Sequence, residues 1–135
     1  MKRKVLIVDD NIDSVTILRS ILEQHGFSVQ AALSGREALQ KLEEEIPDVV
    51  LLDVMMPEMS GLVVLQAIRD RDATATVPVI MVTAKIQDDD VLAGYQNGAD
   101  YYITKPCTSK QLLYGISLVL DKNAEARKSD KDDIV

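Results

Sequence analysis

Val49-Val50-Leu51-Leu52-Asp53 is a run of four aliphatic residues closed by a carboxylate. A short apolar run without polar alternation reads as a strand buried on both faces, as in parallel sheets. An ionised side chain has no place in such a core, so Asp53 marks the point where the strand leaves it. The pattern recurs three times. Val5-Leu6-Ile7-Val8 runs into Asp9-Asp10, Val79-Ile80-Met81-Val82 into Thr83, and Tyr101-Tyr102-Ile103-Thr104 into Lys105-Pro106. In open α/β sheets the ligand crevice lies outside the carboxyl ends of the strands. Three carboxylates, a hydroxyl and an ammonium are therefore expected to converge on one point.

Helical periodicity fills the intervals between these runs. Asn11 is a candidate N-cap for a helix carrying Val15, Leu18, Ile21 and Leu22 inward and stopped by Gly26. Ser28-Val29-Gln30-Ala31-Ala32 reads as a weaker strand, suited to a sheet edge. Ser34-Gly35-Arg36-Glu37 fits a capping box ahead of Ala38, Leu39 and Leu42, and Thr108-Ser109-Lys110-Gln111 fits another ahead of Leu112, Leu113, Ile116, Val119 and Leu120. Gly61 opens a helix with Leu62, Leu65 and Ile68 inward, and Pro78 opens the fourth strand. Residues 88–97 predict a further helix burying Val91, Leu92 and Tyr95. Its internal Gly94 costs about 1 kcal/mol relative to Ala, making it the weakest helix of the chain. From Asp121 onward the chain is almost wholly polar and reads as a frayed helix end or tail. Five βα units predict an α/β fold, a doubly wound five-stranded parallel sheet covered on both faces.

Composition narrows the function classes. A chain of 135 residues, 47% of them hydrophobic, has room for one domain with a full core. A formal charge of -7 offers no basic surplus for phosphate backbones, which disfavours direct nucleic-acid binding. Cys107 is the single cysteine, so an internal disulfide or a cysteine-based zinc cluster is excluded. No apolar stretch approaches the ~18 residues of a membrane span, and Met1-Lys2-Arg3-Lys4 lacks the apolar core of a signal peptide. A cytoplasmic location is expected.

Three carboxylates at one point repel. At ~5 Å and an effective dielectric of ~20, each pair costs roughly 3 kcal/mol. A cation relieves that cost, and few all-oxygen ligands favour Mg2+. The alternative, that Asp9-Asp10 only cap a helix and Asp53 only a turn, leaves Thr83 and Lys105 at matching strand ends without a reason. A carboxylate can be the nucleophile in phosphoryl transfer, with metal and ammonium spreading the charge on the phosphoryl oxygens. Asp53, flanked by Asp10 and Lys105, is the natural nucleophile.

With those residues in place, the chain resembles the receiver domain of two-component response regulators from Lys4 to about Asp121. The matching features are Asp9-Asp10, Asp53 within Leu51-Leu52-Asp53-Val54-Met55-Met56-Pro57, Gly61, Thr83-Ala84, and the segment from Gly98 to Lys105-Pro106. The resemblance implies a flavodoxin-like (βα)5 fold with strand order 2-1-3-4-5, the order of a chemotaxis receiver of this class. It implies that Asp53 accepts phosphate from a histidine kinase or phosphotransfer protein. Asp10, Asp53 and the Met55 carbonyl would ligate Mg2+ directly, with Asp9 acting through water. Thr83 and the Ala84 amide would meet phosphoryl oxygens, Lys105 would pair with the phosphate, and Pro106 would follow a cis peptide bond. Tyr102, three residues before the lysine, occupies the switch-aromatic position; its plainer reading is an amphipathic edge tyrosine. Cys107 stands where an aromatic often follows Lys-Pro and reads as a small packing residue.

The expectation is a single-domain regulator: residues 1–121 form the receiver and 122–135 a polar tail too short for an output domain. It is expected to be a phosphoacceptor that assists its own phosphorylation and dephosphorylation rather than a turnover enzyme. Receivers attached to winged-helix domains usually carry a second Asp where Tyr101 stands, and basic residues in the last helix where Leu112-Leu113-Tyr114-Gly115-Ile116 stands. A monomer or weak dimer signalling to a separate partner through the last helix-strand-helix face is therefore expected. The alternatives are a receiver belonging to a longer regulator and a non-phosphorylated interaction module. An aspartate-based phosphohydrolase would need a second Asp where Met55 stands, and a nucleotide-binding module a Gly-rich turn where Asp9-Asp10-Asn11 stands.

Overall fold

The computed structural model describes residues 2–84 and 98–132. Its strands are β1 (Lys4–Val8), β2 (Ser28–Ala32), β3 (Val49–Leu52), β4 (Val79–Thr83) and β5 (Tyr101–Thr104). Its helices are α1 (Ile12–Gln24), α2 (Gly35–Glu44), α3 (Gly61–Asp70) and α4 (Ser109–Asp132). The strands form one sheet in the order β2-β1-β3-β4-β5, all parallel, as the resemblance implies. The helix expected over 88–97 lies outside the described residues.

Alternation along the strands divides the core in two. Leu6, Val8, Val50, Leu52, Val79 and Met81 face α2 and α3, which contribute Ala38, Leu42, Val64, Leu65 and Ile68. Val5, Ile7, Val49, Leu51, Ile80 and Val82 face the other way, onto Val15, Leu18 and Leu22 of α1 and Leu112, Ile116 and Val119 of α4. Strands covered on both faces explain the unbroken apolar runs. No helix among the described residues is long and apolar enough to cross a membrane.

The predicted caps form. Asn11 accepts from the Ser14 N–H at 3.0 Å, and Ser34 accepts from the Glu37 N–H at 3.1 Å. The box ahead of α4 is reciprocal: Thr108 Oγ1 accepts from the Gln111 N–H at 3.1 Å and Gln111 Oε1 from the Thr108 N–H at 2.9 Å.

Three details differ from the sequence expectation. β3 ends at Leu52 rather than Asp53, although the Asp53 N–H continues the pairing to the Val8 carbonyl at 2.9 Å. β4 begins at Val79, with Pro78 serving only through its carbonyl, which accepts from Val50 at 2.9 Å. The helix α4 continues through the polar stretch as far as Asp132.

At the amino ends of β4 and β5, Arg69 ties three segments together. Its guanidinium donates to the Gly98 carbonyl at 2.7 and 2.9 Å, to the Val77 carbonyl at 2.6 Å and to Asp100 at 3.0 Å. Asp100 also accepts from the Val79 N–H at 2.8 Å. Gly98 has φ +102, and a Cβ there would stand 2.8 Å from Arg69 Nε. The glycine supplies a left-handed turn and room for the arginine at once.

Candidate functional site

At the opposite, carboxyl end of the sheet, β1 and β3 are adjacent, so Asp9, Asp10 and Asp53 leave the core side by side. One oxygen from each of the three lies within 4.8 Å of the others. Lys105 leaves β5 toward the same point: its Nζ donates to Asp9 Oδ2 and stands 3.5 Å from Asp53 Oδ2. Its backbone N–H donates to the Thr83 carbonyl at 2.8 Å, which sets the lysine beside the end of β4. The Lys105-Pro106 bond is cis, as expected.

The three carboxylates are not equivalent. Asp9 is 2% exposed and both its oxygens are occupied, Oδ1 by the Asn11 N–H at 2.9 Å and Oδ2 by Lys105. Asp10 is exposed and has no hydrogen-bond partner among the described residues. Asp53 is 7% exposed and receives the Met55 N–H on Oδ1 at 3.2 Å. Burial pushes its pKa above the ordinary aspartate value; Asp9 pushes the same way, while Lys105 and the Met55 N–H pull it back. Two acidic groups thus remain incompletely balanced by one lysine.

Gly61 explains how α3 reaches this loop. A Cβ there would lie 2.0 Å from the Asp53 carbonyl oxygen, and its N–H donates to the Val54 carbonyl at 2.8 Å. Only a residue without a side chain permits that approach. Glu58, in the same loop, holds φ 67, an unusual conformation outside glycine. Met55 presents its side chain to solvent, leaving its backbone beside Asp53.

Thr83 closes β4 with its side chain buried. Tyr102 is partly buried against the core on the α2–α3 side, whereas Tyr101 packs on the opposite face. Cys107 is a free, half-buried thiol packed against the α1–α4 core, and burial raises its pKa. The structure therefore brings Asp9, Asp10, Asp53 and Lys105 into one cluster, with Met55 and Thr83 joined to it through backbone contacts. The Arg69–Asp100 tether was not anticipated from the sequence, since its partners lie far apart along the chain.

An all-oxygen cluster on a doubly wound sheet, with a lysine beside the central aspartate, forms an acidic crevice whose carboxylates could hold a metal ion. The chain belongs to the response regulator receiver domain family, whose model matches residues 5–117. The alkaline phosphatase synthesis transcriptional regulatory protein PhoP of Bacillus subtilis is 37% identical over 131 residues, 97% of this chain and 54% of that protein. A CheY-like response regulator receiver domain protein from Methanospirillum hungatei has a TM-score of 0.87 at 30% identity, covering 93% of this chain and 99% of that one. The Vibrio cholerae chemotaxis protein CheY4 has a TM-score of 0.86 at 32% identity, covering 89% of this chain and all of that one. The chain spans about half the length of the curated relatives it matches.

Proposed function

We propose that the protein is a phosphoryl acceptor of a two-component system, taking the group on Asp53 from a histidine kinase or phosphotransfer protein. The observation that carries this is the buried Asp53 carboxylate 3.5 Å from the Lys105 ammonium and clustered with Asp9 and Asp10. The donor set fits Mg2+: oxygen ligands only, few in number, with Asp10 free to ligate. Asp10, Asp53 and the Met55 carbonyl would hold the ion, and Asp9, whose oxygens are already engaged, would act through water. When bound, Mg2+ would neutralise charge on the carboxylates and phosphoryl oxygens.

The chain's own residues do the rest. Asp53 is the nucleophile. Lys105 lies close enough to Asp53 to meet a phosphoryl oxygen, and Thr83 with the Ala84 N–H would receive another. Such groups stabilise charge without rearranging. This is single acceptance of a group with self-assisted release, not turnover of a free substrate. Added negative charge at Asp53 would draw Thr83 toward it and let Tyr102 turn further inward. The signal would leave through the face of β5 and α4 to a partner protein, the protomer being a monomer or weak dimer. Tyr101 and the exposed Tyr114 make that face aromatic rather than basic, and the net charge of -7 favours a protein partner over nucleic acid.

The test is intact mass after incubation with acetyl phosphate, with and without Mg2+. One phosphoryl group is expected, dependent on the metal and lost in Asp53→Ala. A gain that persists in that variant would overturn the assignment. Retardation of duplex DNA at micromolar protein would refute the choice of output.

A further inference from the structure

β5 delivers Lys105 to the carboxylate cluster, and it is a short strand. It has four residues and, among the described residues, pairs with β4 alone. Its register along β4 decides where the lysine stands. Register is ordinarily set by which side chains fall on the buried face, because a slip of one residue exchanges the faces. That signal is weak here. Tyr101 packs on the α1–α4 core and Tyr102 on the α2–α3 core, so a one-residue slip would set one tyrosine where the other had been.

Arg69 provides the missing constraint. It follows Ile68, 1% exposed, at the end of α3, and is thus fixed to the core independently of the β4–β5 ladder. Its guanidinium donates to the chain entering β4, at the Ala75 and Val77 carbonyls, 3.2 and 2.6 Å away. It also donates to the chain entering β5, at the Gly98 carbonyl and, at 3.0 Å, the Asp100 carboxylate. Asp100 in turn engages both backbone groups of Val79: its carboxylate accepts from the N–H at 2.8 Å, and its own N–H donates to the carbonyl at 2.9 Å. Resting on the phosphoacceptor reading, we propose that Arg69 is a positioning residue for Lys105. By pinning the amino end of β5, it sets the place of the ammonium beside Asp53.

The strand transmits the pin. At about 3.3 Å per residue, Asp100 and Lys105 stand roughly 17 Å apart along β5. The Lys105 N–H, donating to the Thr83 carbonyl at 2.8 Å, continues the same ladder. A displacement along β4 at one end therefore appears at the other. Lys105 has little room for it, since its Nζ is shared between Asp9 and Asp53 and stands 3.5 Å from the latter. A misplacement of about 1 Å near a reacting group can cost on the order of a hundredfold in rate. The planar fork of an arginine meets four acceptors in two chain segments at once, which the compact ammonium of a lysine cannot do.

The experiment reads Lys105 directly. Reductive methylation in metal-free buffer, followed by peptide mass mapping, gives the labelling rate of each lysine. Released from its carboxylates, the Lys105 amine is expected to react about fivefold faster in Arg69→Gln than in wild type, with the exposed Lys110 unchanged. Asp100→Asn, which keeps an acceptor for Val79, should show a smaller rise, and it reports even if Arg69→Gln fails to fold. Leu42→Ala, a core truncation on α2 over β1 and β2, should show none, which separates loss of position from loss of stability. Phosphorylation by acetyl phosphate with Mg2+ is the second arm: Arg69→Gln should slow it about tenfold, but not when Lys105 is already alanine. An unchanged Lys105 labelling rate in both Arg69→Gln and Asp100→Asn, an equal rise in Leu42→Ala, or an equal slowing in the Lys105→Ala background would overturn the assignment. Absence of phosphorylation in wild type would instead overturn the functional reading, while labelling still decides whether Arg69 places Lys105.

Discussion

The two ends of the sheet treat charge in opposite ways. At the amino ends of β4 and β5, Arg69 and Asp100 are matched one to one, and their remaining hydrogen-bonding capacity goes to backbone groups of Gly98, Val77 and Val79. At the carboxyl ends, three carboxylates face one lysine, and Asp53 is held in a setting that disfavours its charged form. The first arrangement closes a structure. The second leaves an excess of negative charge that a cation would relieve. A surplus of like charge, held in place by a rigid sheet, is what separates a binding crevice from a structural ion pair.

The sharpest break in this comparison concerns metal. Asp10→Ala is expected to abolish Mg2+ binding in calorimetric titration, whereas Lys105→Ala retains it or tightens it by removing a positive charge. Equal losses in both variants would show that the two residues do not divide the work as the geometry implies.

Stability comes next. Arg69→Ala leaves Asp100 and several carbonyls without their donor, and urea unfolding should show a loss of about 3 kcal/mol. Asp53→Asn should do the reverse in metal-free buffer, gaining on the order of 1 kcal/mol at neutral pH. If both variants lose stability, the carboxyl end does not carry that excess.

The pH dependence sharpens the same point. Asp53 has a folded pKa above its ordinary 3.8, so the folded state binds this proton more tightly than the unfolded state. Its stabilising contribution is present below the unfolded value and is lost as pH rises through the folded value. In metal-free buffer, acidification through that window should therefore shrink the stability difference between Asp53→Asn and wild type, and saturating Mg2+ should flatten the trend. Urea midpoints of the two proteins across this pH range, with and without Mg2+, check it.

The smallest effect is local to the crevice loop. Glu58 holds φ 67, where glycine is tolerated more easily. Glu58→Gly should raise the urea midpoint by an amount equivalent to about 1 kcal/mol, without a change in slope.

The strands, the caps and the carboxylate cluster were legible in the chain as written. Asp53, Thr83 and Lys105 each follow an apolar run, and the change from apolar to polar side chain is a local signal that survives without knowledge of neighbours. The caps at Asn11, Ser34 and Thr108 are likewise local, since donor and acceptor lie three residues apart.

What only the tertiary structure decided is who meets whom at long range. Asp9 and Asp10 are chemically identical neighbours, yet Asp9 is spent on Asn11 and Lys105 while Asp10 stays open. That division depends on where β5 delivers Lys105, 96 residues along the chain. Arg69 and Asp100, 31 residues apart, look like ordinary surface charges until the strand order brings their segments together. The need for glycine at position 61 becomes physical only when the Asp53 carbonyl is found where a Cβ would be. The sequence by itself determined which residue types stand at the ends of the strands, because burial acts on each strand locally. The fold decided which of those charges are neutralised and which are left for a ligand, because that depends on distances set by chain segments far apart in sequence.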